Sequence, residues 1–456
     1  MFNPLKDIKV HFIGIGGIGM SGIAEVLLSL GYKVSGSDIS ESATVAKLRR
    51  LGAEVYIGHK SENVADATVM VYSSAIDDTN PEVIIAKANR LPIMRRAEML
   101  AELMRLKKGL AIAGTHGKTT TTSFLATILQ ESKYDPTYII GGIVKNLDGH
   151  AKVGKGEFLV AEADESDGSF LLLNPIMSVV TNIDNDHMDH YGDEATLLKS
   201  FTQFINKVPF YGLTALNAND ERLMALTKDV KKPWVTFGVD TKADFEARNI
   251  RYEGNLAIYD LFYADEKQIE IKITIPGKHN IQNSLGAIAL AYNMGVPFED
   301  IASSIIKFDG VGRRFQTLFT ENSFEIIDDY AHHPTEIDVT LRAMKETRPD
   351  KKIVVVFEPH RYSRTRDCWD AFLHCFNSAD TVYISPIYPA SEQPIAGIES
   401  DRLIADINKL HPDLVQKLDA VENINVIIDK YKKENVTFVT LGAGSIGRII
   451  REKTNN

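Results

Sequence analysis

Short apolar runs alternate with glycine turns and amphipathic segments along the whole chain. An apolar run over 9–15 leads into a glycine-rich turn over 14–19, and the pattern then predicts a helix over 22–30 and a second strand over 33–37. A strand, a helix and another strand in this order form a βαβ unit, from which parallel sheets are built. The beginning of the chain is therefore predicted to be α/β.

The same alternation starts again twice. After about residue 107 a new apolar strand precedes a second glycine-rich turn. A glycine pair near residue 310 precedes a third series, in which strands are predicted over 324–328, 352–357, 381–384 and 436–441 and alternate with helices. Between 244 and 275 the pattern changes to alternating polar and apolar positions, which suggests an antiparallel excursion. We predict three α/β domains: residues 1–107, Rossmann-like; residues 108–310, resembling a P-loop ATPase; and residues 311–456, again Rossmann-like.

Composition narrows the class of protein. The chain has 456 residues, and its 51 basic and 61 acidic residues give a net charge of -10, which argues against a nucleic-acid-binding surface. Two cysteines, Cys368 and Cys375, are too few for a disulfide framework. Neither a signal segment nor an apolar run of roughly 18 residues is visible, so we expect a cytoplasmic protein without a membrane partner.

The second turn carries the clearest chemistry. It reads Gly114-Thr115-His116-Gly117-Lys118-Thr119-Thr120 and follows an apolar strand. Glycines let backbone N–H groups approach phosphate oxygens, the helix N-terminus is positive, a lysine neutralises charge, and a hydroxyl ligates magnesium. Ile112 stands where the usual phosphate loop has its first glycine. This segment is predicted to bind a nucleoside triphosphate as a variant phosphate loop.

The first turn also has a phosphate-binding pattern. Gly14, Gly16 and Gly19 satisfy G-x-G-x-x-G, and Asp38 lies at the end of the next predicted strand. The spacing suits a nicotinamide dinucleotide, but a UDP-sugar presents the same diphosphate and ribose. The ligand of this turn is left open between the two.

Two polar segments follow predicted strands of the central domain. The first, 162–167, contains four carboxylates; one of them is expected to hold magnesium beside the phosphates. The second, 182–190, places His187 among three aspartates, which suits either a second metal or a phosphate.

The third domain has two further strand-end segments, 328–334 and 358–365. In the second of these, Arg361 and Arg364 are suited to grip a carboxylate or phosphate. A last glycine turn, 442–447, is similar to a dinucleotide-binding turn.

Together the segments 114–121, 162–167 and 186–189 resemble the Mur ligase family, cell-wall enzymes that form amide bonds with ATP. The resemblance runs across nearly the whole chain. Within the family, segments 14–22, 328–336 and 357–365 favour the member that adds L-alanine. The run His360–Arg364 favours this reaction over that of the recycling ligase, which attaches a whole tripeptide.

The resemblance implies roles for individual residues. Lys118 would bind phosphate, and Thr119, Glu165 and His187 would ligate Mg²⁺ or Mn²⁺. Asn283 would lie at the adenine and Arg314 at the phosphates of ATP. The amino acid would be held by Tyr330, His332, Arg361 and Arg364. The UDP-sugar would be received by Gly14, Gly16, Gly17, Gly19, Ser21, Asp38, His59, Ser73 and Ser74.

The resemblance also implies the reaction: ATP-dependent joining of L-alanine to the lactyl carboxylate of UDP-N-acetylmuramate through an acyl phosphate. Two other classes stay open from the residues alone. A nicotinamide-dependent oxidoreductase would use the first glycine turn but would leave the phosphate loop unexplained. A nucleotide-switched binding protein would use the loop without ligase chemistry. The sequence is compatible with a monomer or a dimer.

Overall fold

The structure is a computed structural model that describes residues 8–73, 76–147 and 149–454. Strands and helices alternate through this range and form three sheets. Most neighbouring strands are parallel, because the chain returns through a helix between one strand and the next. The predicted α/β class is confirmed.

The first sheet contains five strands, and its elements are β1 (Lys9–Ile13), α1 (Ile18–Ser29), β2 (Lys33–Asp38), α2 (Ala43–Arg50), β3 (Glu54–Ile57), β4 (Val69–Tyr72), α3 (Pro81–Ala88), β5 (Ile93–Arg95) and α4 (Arg96–Leu106). Their order is β3-β2-β1-β4-β5, and all pairs are parallel. The order reverses between β1 and β4, so the carboxyl ends of these two strands border the crevice where such sheets bind ligands.

Helix α1 begins at Ile18, four residues before the predicted start. Its buried positions Met20, Ile23 and Leu27 already recur at helical spacing from the glycine-rich stretch onward. Glycines weaken a helical pattern in the sequence, but Gly22 lets α1 approach Ile139 closely: a Cβ there would lie 3.1 Å from the Ile139 side chain. The glycines at 19 and 22 therefore hide the first turn of α1 in the sequence, although its apolar positions are buried.

The second sheet contains ten strands, and its elements are β6 (Lys108–Ala113), α5 (Lys118–Glu131), β7 (Thr137–Val144), β8 (Gly149–Lys152), β9 (Phe158–Glu162), β10 (Met177–Val180), α6 (Met188–Tyr191), α7 (Glu194–Ile205), β11 (Leu213–Asn217), α8 (Glu221–Leu226), β12 (Trp234–Val239), β13 (Phe245–Glu253), β14 (Leu256–Tyr263), β15 (Glu266–Ile273), α9 (Lys278–Asn293) and α10 (Phe298–Ile305). Their order is β15-β14-β13-β12-β11-β10-β6-β9-β7-β8.

Strand β6 lies between β9 and β10 and is parallel to both. Ile112 pairs with Glu162 of β9, and Ala113 pairs with Val180 of β10. The segments that follow these three strands therefore leave the sheet at the same edge, beside one another. This register brings the phosphate loop together with the two polar segments of the central region.

The third sheet contains six strands, and its elements are β16 (Gln316–Glu321), β17 (Phe324–Asp329), α11 (Pro334–Thr347), β18 (Lys352–Phe357), α12 (Tyr362–Asp367), α13 (Trp369–Phe372), β19 (Thr381–Ile384), α14 (Ser400–Leu410), β20 (Val415–Lys417), α15 (Ile424–Tyr431), β21 (Val436–Leu441) and α16 (Ile446–Thr454). Their order is β16-β17-β21-β18-β19-β20, and only β16 among them is paired antiparallel.

Both faces of the third sheet are buried. Along β18, Ile353, Val355 and Phe357 join one apolar cluster, whereas Val354 and Val356 join another. Side chains alternate between the faces of a strand, so a strand covered on both sides appears as a continuous apolar run. This is why the bounds of β18 agree with the predicted 352–357.

The chain divides into two compact units. The first contains the described parts of Met1–Arg248, Asp260–Ile271 and Gln282–Phe308, and the second those of Asn249–Tyr259, Lys272–Ile281 and Asp309–Asn456. The division passes through β13, β14, β15 and α9. The first unit includes the first two glycine turns, and the second unit includes the third.

Candidate functional site

The phosphate loop lies between β6 and α5. Gly114 and Gly117 have φ angles of +130° and +84°, which other residues adopt only with strain. Helix α5 begins at Lys118, and no side chain caps its first turn. The Lys118 ammonium instead donates to the carbonyl oxygens of Gly114, at 2.7 Å, and Thr115, at 3.0 Å. The loop thus curls around its own lysine.

Two acids of the first polar segment face this loop. The ammonium of Lys118 lies 2.7 Å from Oε2 of Glu165, and the hydroxyl of Thr119 donates to Oε2 of Glu162 at 3.1 Å. Glu162 is the last residue of β9, and its Oε1 also accepts from the N–H of Gly141. The sequence pattern over 162–167 predicted that one acid acts at the loop. In the structure two acids, Glu162 and Glu165, contact it.

Burial controls the charge of this cluster. Burial raises the pKa of Glu165 to about 7, against the opposing effect of Lys118, and it also raises the pKa of Glu162. Burial works against the charge of Lys118 as well, but Glu165 and Asp164 outweigh it and raise the pKa of the lysine. Opposite charges within about 4 Å stabilise one another in such surroundings.

The segment after β10 braces the loop from the other side. Oδ1 of Asn182 accepts from the N–H of His116 at 2.8 Å, and its amide group donates to the His116 carbonyl at 3.0 Å. The His116 ring lies 3.1 Å from Oδ2 of Asp184. These contacts hold the loop backbone in place, because the loop after β6 and the segment after β10 leave paired parallel strands side by side.

His187 lies further along the same segment. Its φ of +59° places it in the left-handed region, and its Nε2 is 3.6 Å from Oδ2 of Asp186. Four residues later, the hydroxyl of Tyr191 donates to the backbone oxygen of Glu165 at 2.5 Å. Helix α6 thereby links the histidine segment to the acid segment, while the proposed metal role of His187 stays a prediction.

Asn283, on α9, is buried against the loop. A Cβ added to Gly117 would collide with Oδ1 of Asn283, so only glycine fits at this position. Arg314 belongs to the second unit, where its guanidinium lies 5.2 Å above the Tyr330 ring and 3.6 Å from Glu336. The adenine and phosphate roles of these two residues stay predictions.

The first glycine turn is closed by Asp38. Oδ2 of Asp38 accepts from the N–H of Gly16 at 2.8 Å, and the N–H of Gly14 donates to the Ser37 carbonyl. Gly17 caps α1 without a side-chain hydrogen bond. The predicted acid is thus at the turn, bonded to the backbone of the turn itself.

Other residues predicted for the UDP-sugar lie around this turn. Gly19 packs against Arg96, which in turn donates to Asp164 at 2.9 Å. The Ser21 hydroxyl is 3.0 Å from Nε2 of His150. His59 follows β3, and Ser73 follows β4. Ser74 lies outside the described residues.

The second unit gathers the residues predicted for the amino acid. The rings of Tyr330 and His332 are 5.3 Å apart, and those of His332 and His360 are 6.1 Å apart. Nη1 of Arg364 lies 3.4 Å from Nδ1 of His360. Arg361 has a φ of +72°, unusual for its residue type, and its N–H donates to the Tyr388 carbonyl. Two strand-end segments thus meet at one edge of the third sheet.

The histidines of this cluster are neutral at neutral pH. Burial lowers the pKa of His332 to about 4, with Arg364 and Arg314 acting in the same direction. Burial, followed by His332 and Arg364, lowers the pKa of His360 to about 4. The positive charge at this edge therefore comes from arginines, as a site for a carboxylate requires.

The last glycine turn is filled by the protein itself. The carboxylate of Glu358 accepts from the hydroxyl of Ser445 at 2.6 Å and from the N–H of Ile446 at 2.9 Å. A Cβ on Gly444 would lie 2.6 Å from Oε2 of Glu358. The similarity of 442–447 to a dinucleotide turn therefore reflects an internal cap on α16, because a carboxylate occupies the place of a phosphate.

The residues around Lys118 suit a hard divalent cation. Thr119, Glu162 and Glu165 offer oxygen ligands, which Mg²⁺ and Mn²⁺ prefer. Within the described part of the chain, Oε2 of Glu165 is buried without a hydrogen bond of good geometry, although the Lys118 ammonium lies beside it. A buried carboxylate oxygen aimed at a phosphate loop is the donor that such a cation would use.

Comparison with known proteins agrees with this geometry. The model described as "Mur ligase family, catalytic domain" matches residues 9–108, "Mur ligase middle domain" matches 112–291, and "Mur ligase, glutamate ligase domain" matches 313–444. The chain belongs to the Mur ligase family. The first two glycine turns lie inside the first two matched regions, and the third, 442–447, begins inside the last matched region and ends three residues beyond it.

Relatives with curated names cover almost the whole of this Mur ligase. UDP-N-acetylmuramate–L-alanine ligase of Geobacter sulfurreducens is 49% identical over 97% of the chain and 96% of that protein. The corresponding protein of Geotalea daltonii is 49% identical, again over 97% of the chain and 96% of that protein.

Solved structures show the same fold. UDP-N-acetylmuramate–alanine ligase of Thermotoga maritima superposes with a TM-score of 0.83 at 31% identity, over 98% of this chain and 99% of that one. A murein peptide ligase of Psychrobacter arcticus shares the fold with a TM-score of 0.72 at 24% identity, over 98% of each chain. Among the described residues, no helix of this Mur ligase is long and apolar enough to cross a membrane.

Several residues at these sites were not singled out from the sequence. Glu162 was named only as a member of an acid cluster, although its place at the end of β9 marks it as a partner of the loop. His150 contacts Ser21 across 129 positions of sequence, and Tyr388 stacks on His360 with ring centroids 5.5 Å apart. No local motif announces His150 or Tyr388, because each reaches its partner through the fold.

Proposed function

We propose that this Mur ligase joins L-alanine to the lactyl carboxylate of UDP-N-acetylmuramate and converts ATP to ADP and phosphate. The observation that carries the proposal is the full-length similarity to ligases named for this reaction, together with the Lys118–Glu165 pair at the phosphate loop. The proposed setting is peptidoglycan precursor synthesis in the cytoplasm, where ATP is supplied. The two cysteines, both free, agree with a reducing compartment.

We propose that three domains divide the substrates: 1–107 for the UDP-sugar, 108–310 for ATP and 311–456 for L-alanine. Lys118 and the N–H groups of the loop hold the phosphates, as the uncapped start of α5 allows. Asn283 borders the adenine, and Arg314 contributes positive charge to the phosphates.

Thr119, Glu165 and His187 are the proposed ligands of Mg²⁺ or Mn²⁺, and the contact of Thr119 with Glu162 adds a further candidate. The chemistry that such a cation supplies when bound is neutralisation of negative charge on the phosphate groups.

The proposed reaction has two steps. A lactyl carboxylate oxygen attacks the γ-phosphorus of ATP, ADP leaves, and an acyl phosphate forms; Lys118 stabilises the negative charge that shifts toward ADP. The uncharged amine of L-alanine then attacks the acyl carbon, and phosphate leaves from the tetrahedral intermediate. Tyr330, His332, Arg361 and Arg364 hold the alanine carboxylate and orient its amine, since arginine suits a carboxylate geometrically.

The proposed experiment measures phosphate release from ATP with UDP-N-acetylmuramate and, separately, L-alanine, glycine, L-serine and the tripeptide of the recycling reaction. We expect L-alanine to give the highest kcat/KM. Preference for the tripeptide would refute the proposed amino acid substrate. Phosphate release that none of the four stimulates would favour a nucleotide-switched binding protein, and hydride transfer with NAD without UDP-sugar binding would favour an oxidoreductase.

A further inference from the structure

A buried carboxylate lies at the centre of a hydrogen-bond network in the first sheet. Glu82, at the start of α3, is fully buried. Its Oε2 accepts from the Ser37 hydroxyl at 2.6 Å and lies 3.2 Å from Nε2 of His11. Its Oε1 accepts from Nδ2 of Asn63 at 2.6 Å and from the N–H of Lys60 at 3.1 Å. Four groups from three segments thus converge on one side chain.

The network ends at His59. Nδ1 of His59 lies 2.9 Å from the Ser37 hydroxyl oxygen, and the His59 side chain keeps 16% of its surface exposed. Ser37 and Asp38 are neighbours at the end of β2, and the N–H of Gly58 donates to the Asp38 carbonyl. His59 therefore lies at the same sheet edge as the first glycine turn, which Asp38 closes.

The hydrogen-bond donors and acceptors of this network determine which imidazole nitrogen of His59 carries the proton. An ionised carboxylate only accepts hydrogen bonds, so Ser37 must give its single proton to Glu82. The Ser37 oxygen is then an acceptor toward His59, and Nδ1 of the imidazole must carry the proton. In a neutral imidazole the other nitrogen, Nε2, is left with a lone pair.

Glu82 is held in the state that this chain of bonds requires. Although burial opposes it, the hydrogen bonds from His11, Ser37 and Asn63 keep the pKa of Glu82 below its ordinary value. Asn63 and the N–H of Lys60 also tie the segment after His59 to the same carboxylate.

We propose that Glu82 is a positioning residue that, through Ser37, sets the tautomer of His59 so that Nε2 accepts a hydrogen bond from the uridine of the UDP-sugar. The donor is the imide N–H of the uracil or a ribose hydroxyl. This inference rests on the proposed function, in which residues 1–107 bind the UDP-sugar, and His59 is the residue of that domain that the family resemblance assigns to this ligand. It adds that His59 is the acceptor of its hydrogen bond with the ligand, and that Glu82 determines this direction.

The tautomer is measured without any substrate. Nitrogen-15 NMR of the imidazole rings distinguishes an Nδ1–H from an Nε2–H tautomer, and a His59→Gln variant assigns the signal. We expect Nδ1–H in the wild type. An Nε2–H tautomer of His59 in the wild type would overturn the proposal.

Two variants test whether Glu82, acting through Ser37, determines the tautomer of His59. In Glu82→Gln, Asn63 and Lys60 still need an acceptor, so the amide oxygen takes the Oε1 position and the NH₂ group faces Ser37. Ser37 must then donate to His59, and the tautomer should reverse to Nε2–H. Ser37→Ala removes the relay but leaves Oε1 of Glu82 3.9 Å from Nδ1 of His59, so the Nδ1–H tautomer should become less populated without being lost. This variant carries the test if Glu82→Gln does not fold. An unchanged Nδ1–H tautomer in a folded variant would contradict the proposal.

Ser35→Ala is the matched control. Ser35 is on the same strand, is equally buried, and contacts Nδ1 of His11 at 3.0 Å, at the far end of the network. Its loss should leave the His59 tautomer unchanged. A shift of the tautomer in Ser35→Ala as large as in Ser37→Ala would show a general structural effect and overturn the relay.

The consequence for recognition is tested by titration with UDP, which needs no turnover. We expect Glu82→Gln to raise the Kd for UDP at least about tenfold, and the KM for UDP-N-acetylmuramate similarly, with kcat within about threefold of wild type. Wild-type preference for UDP over UDP methylated at the uracil imide identifies that donor; preference over 2′-deoxy-UDP identifies a ribose hydroxyl.

A reversed tautomer with unchanged UDP affinity would refute the recognition step alone. If the wild type binds UDP but does not ligate L-alanine, the proposed function fails, and the network is still tested by the tautomer and the UDP affinity.

Discussion

Two glycine turns of this chain look alike in sequence and differ in what occupies them. Both 114–119 and 442–447 follow the carboxyl end of a parallel strand and lead into a helix. In the first, the lysine ammonium donates to loop carbonyls, and no side chain caps the helix. In the second, Glu358 accepts from the Ser445 hydroxyl and the Ile446 N–H. The phosphate loop thus keeps its helix start open to a phosphate, whereas a carboxylate of the chain itself caps the turn over 442–447.

The titratable groups near the phosphate loop also differ from those of the second unit. At the phosphate loop, burial raises the pKa of Glu165 to about 7, and the charge of Lys118 opposes this rise. In the second unit, burial lowers the pKa of His332 and His360 to about 4, so the histidines are neutral. The phosphate loop therefore depends on a charge pair that a nucleotide would rearrange, whereas the turn over 442–447 already has the Glu358 carboxylate as its partner.

The largest expected effect is that of Lys118→Ala. Turnover should fall at least about a thousandfold, because the charge on the phosphates loses its fixed cation. UDP-N-acetylmuramate affinity should change less than about threefold, since its proposed site is in the first sheet. Steady-state kinetics and calorimetric titration measure the two quantities.

Lys107→Ala is the matched control, because Lys107 also donates to two backbone carbonyls, those of Gly154 at 2.8 Å and Gly156 at 2.6 Å. It should keep kcat within about twofold of wild type. Equal loss of turnover in both variants would mean that the lysine contacts are only structural.

The next largest expected effect is a change in how the stability of the second unit depends on pH. The folded pKa of His332 is about 4 and its unfolded value 6.5, so between these pH values the unfolded chain binds a proton that the folded chain does not. Stability is therefore full above pH 6.5 and falls as the pH drops toward 4. In His332→Gln this loss should be smaller by up to about 3 kcal/mol.

Urea unfolding at pH 7 and pH 4 measures the difference. A Trp234→Phe background leaves Trp369, in the second unit, as the only tryptophan and thus as a local fluorescence probe. An equal pH dependence with and without His332 would show that this histidine is not held neutral.

A pair of glycine substitutions compares the turns directly. Gly117→Ala places a methyl group against Oδ1 of Asn283 at a φ of +84°, and should weaken ATP binding by about tenfold or more. Gly444→Ala places one 2.6 Å from Oε2 of Glu358 and should lower the stability of the second unit while leaving ATP affinity unchanged. Weaker ATP binding in Gly444→Ala would remove the distinction between the turns.

The smallest effect is that of Ser445→Ala, which removes one hydrogen bond to Glu358. The free energy of unfolding of the second unit, followed by Trp369 fluorescence, should fall by about 1 kcal/mol. Ser323→Ala, whose exposed hydroxyl makes a 3.4 Å contact in the same unit, should change it by less than about 0.5 kcal/mol. Equal effects would show that the internal cap contributes nothing.

Much of the fold was predictable because buried parallel strands leave continuous apolar runs. The bounds of β18, β19 and β21 agree with the prediction. The phosphate loop was also predictable, because its glycines, lysine and threonine are adjacent in sequence. The start of α1 at Ile18 was not, because the glycines of its first turns weaken the helical pattern there.

Contacts between distant segments explain what the sequence could not show. Glu358 reaches Ser445 across 87 positions, and Glu82 reaches Ser37 across 45. Nothing near 442–447 distinguishes an internally capped turn from a nucleotide site. Likewise, the choice among the acids of 162–167 depends on the pairing of β9 with β6, which places Glu162 opposite Ile112.

The central claim is that the loop around Lys118 is the ATP end of a ligase reaction that passes through an acyl phosphate. The most direct measurement uses UDP-N-acetylmuramate with a heavy oxygen isotope in both positions of the lactyl carboxylate, together with ATP and L-alanine. The account predicts one labelled oxygen in each phosphate released, with the other kept in the amide product, and no labelled phosphate from Lys118→Ala. Unlabelled phosphate from the wild type, formed together with the amide, would contradict it.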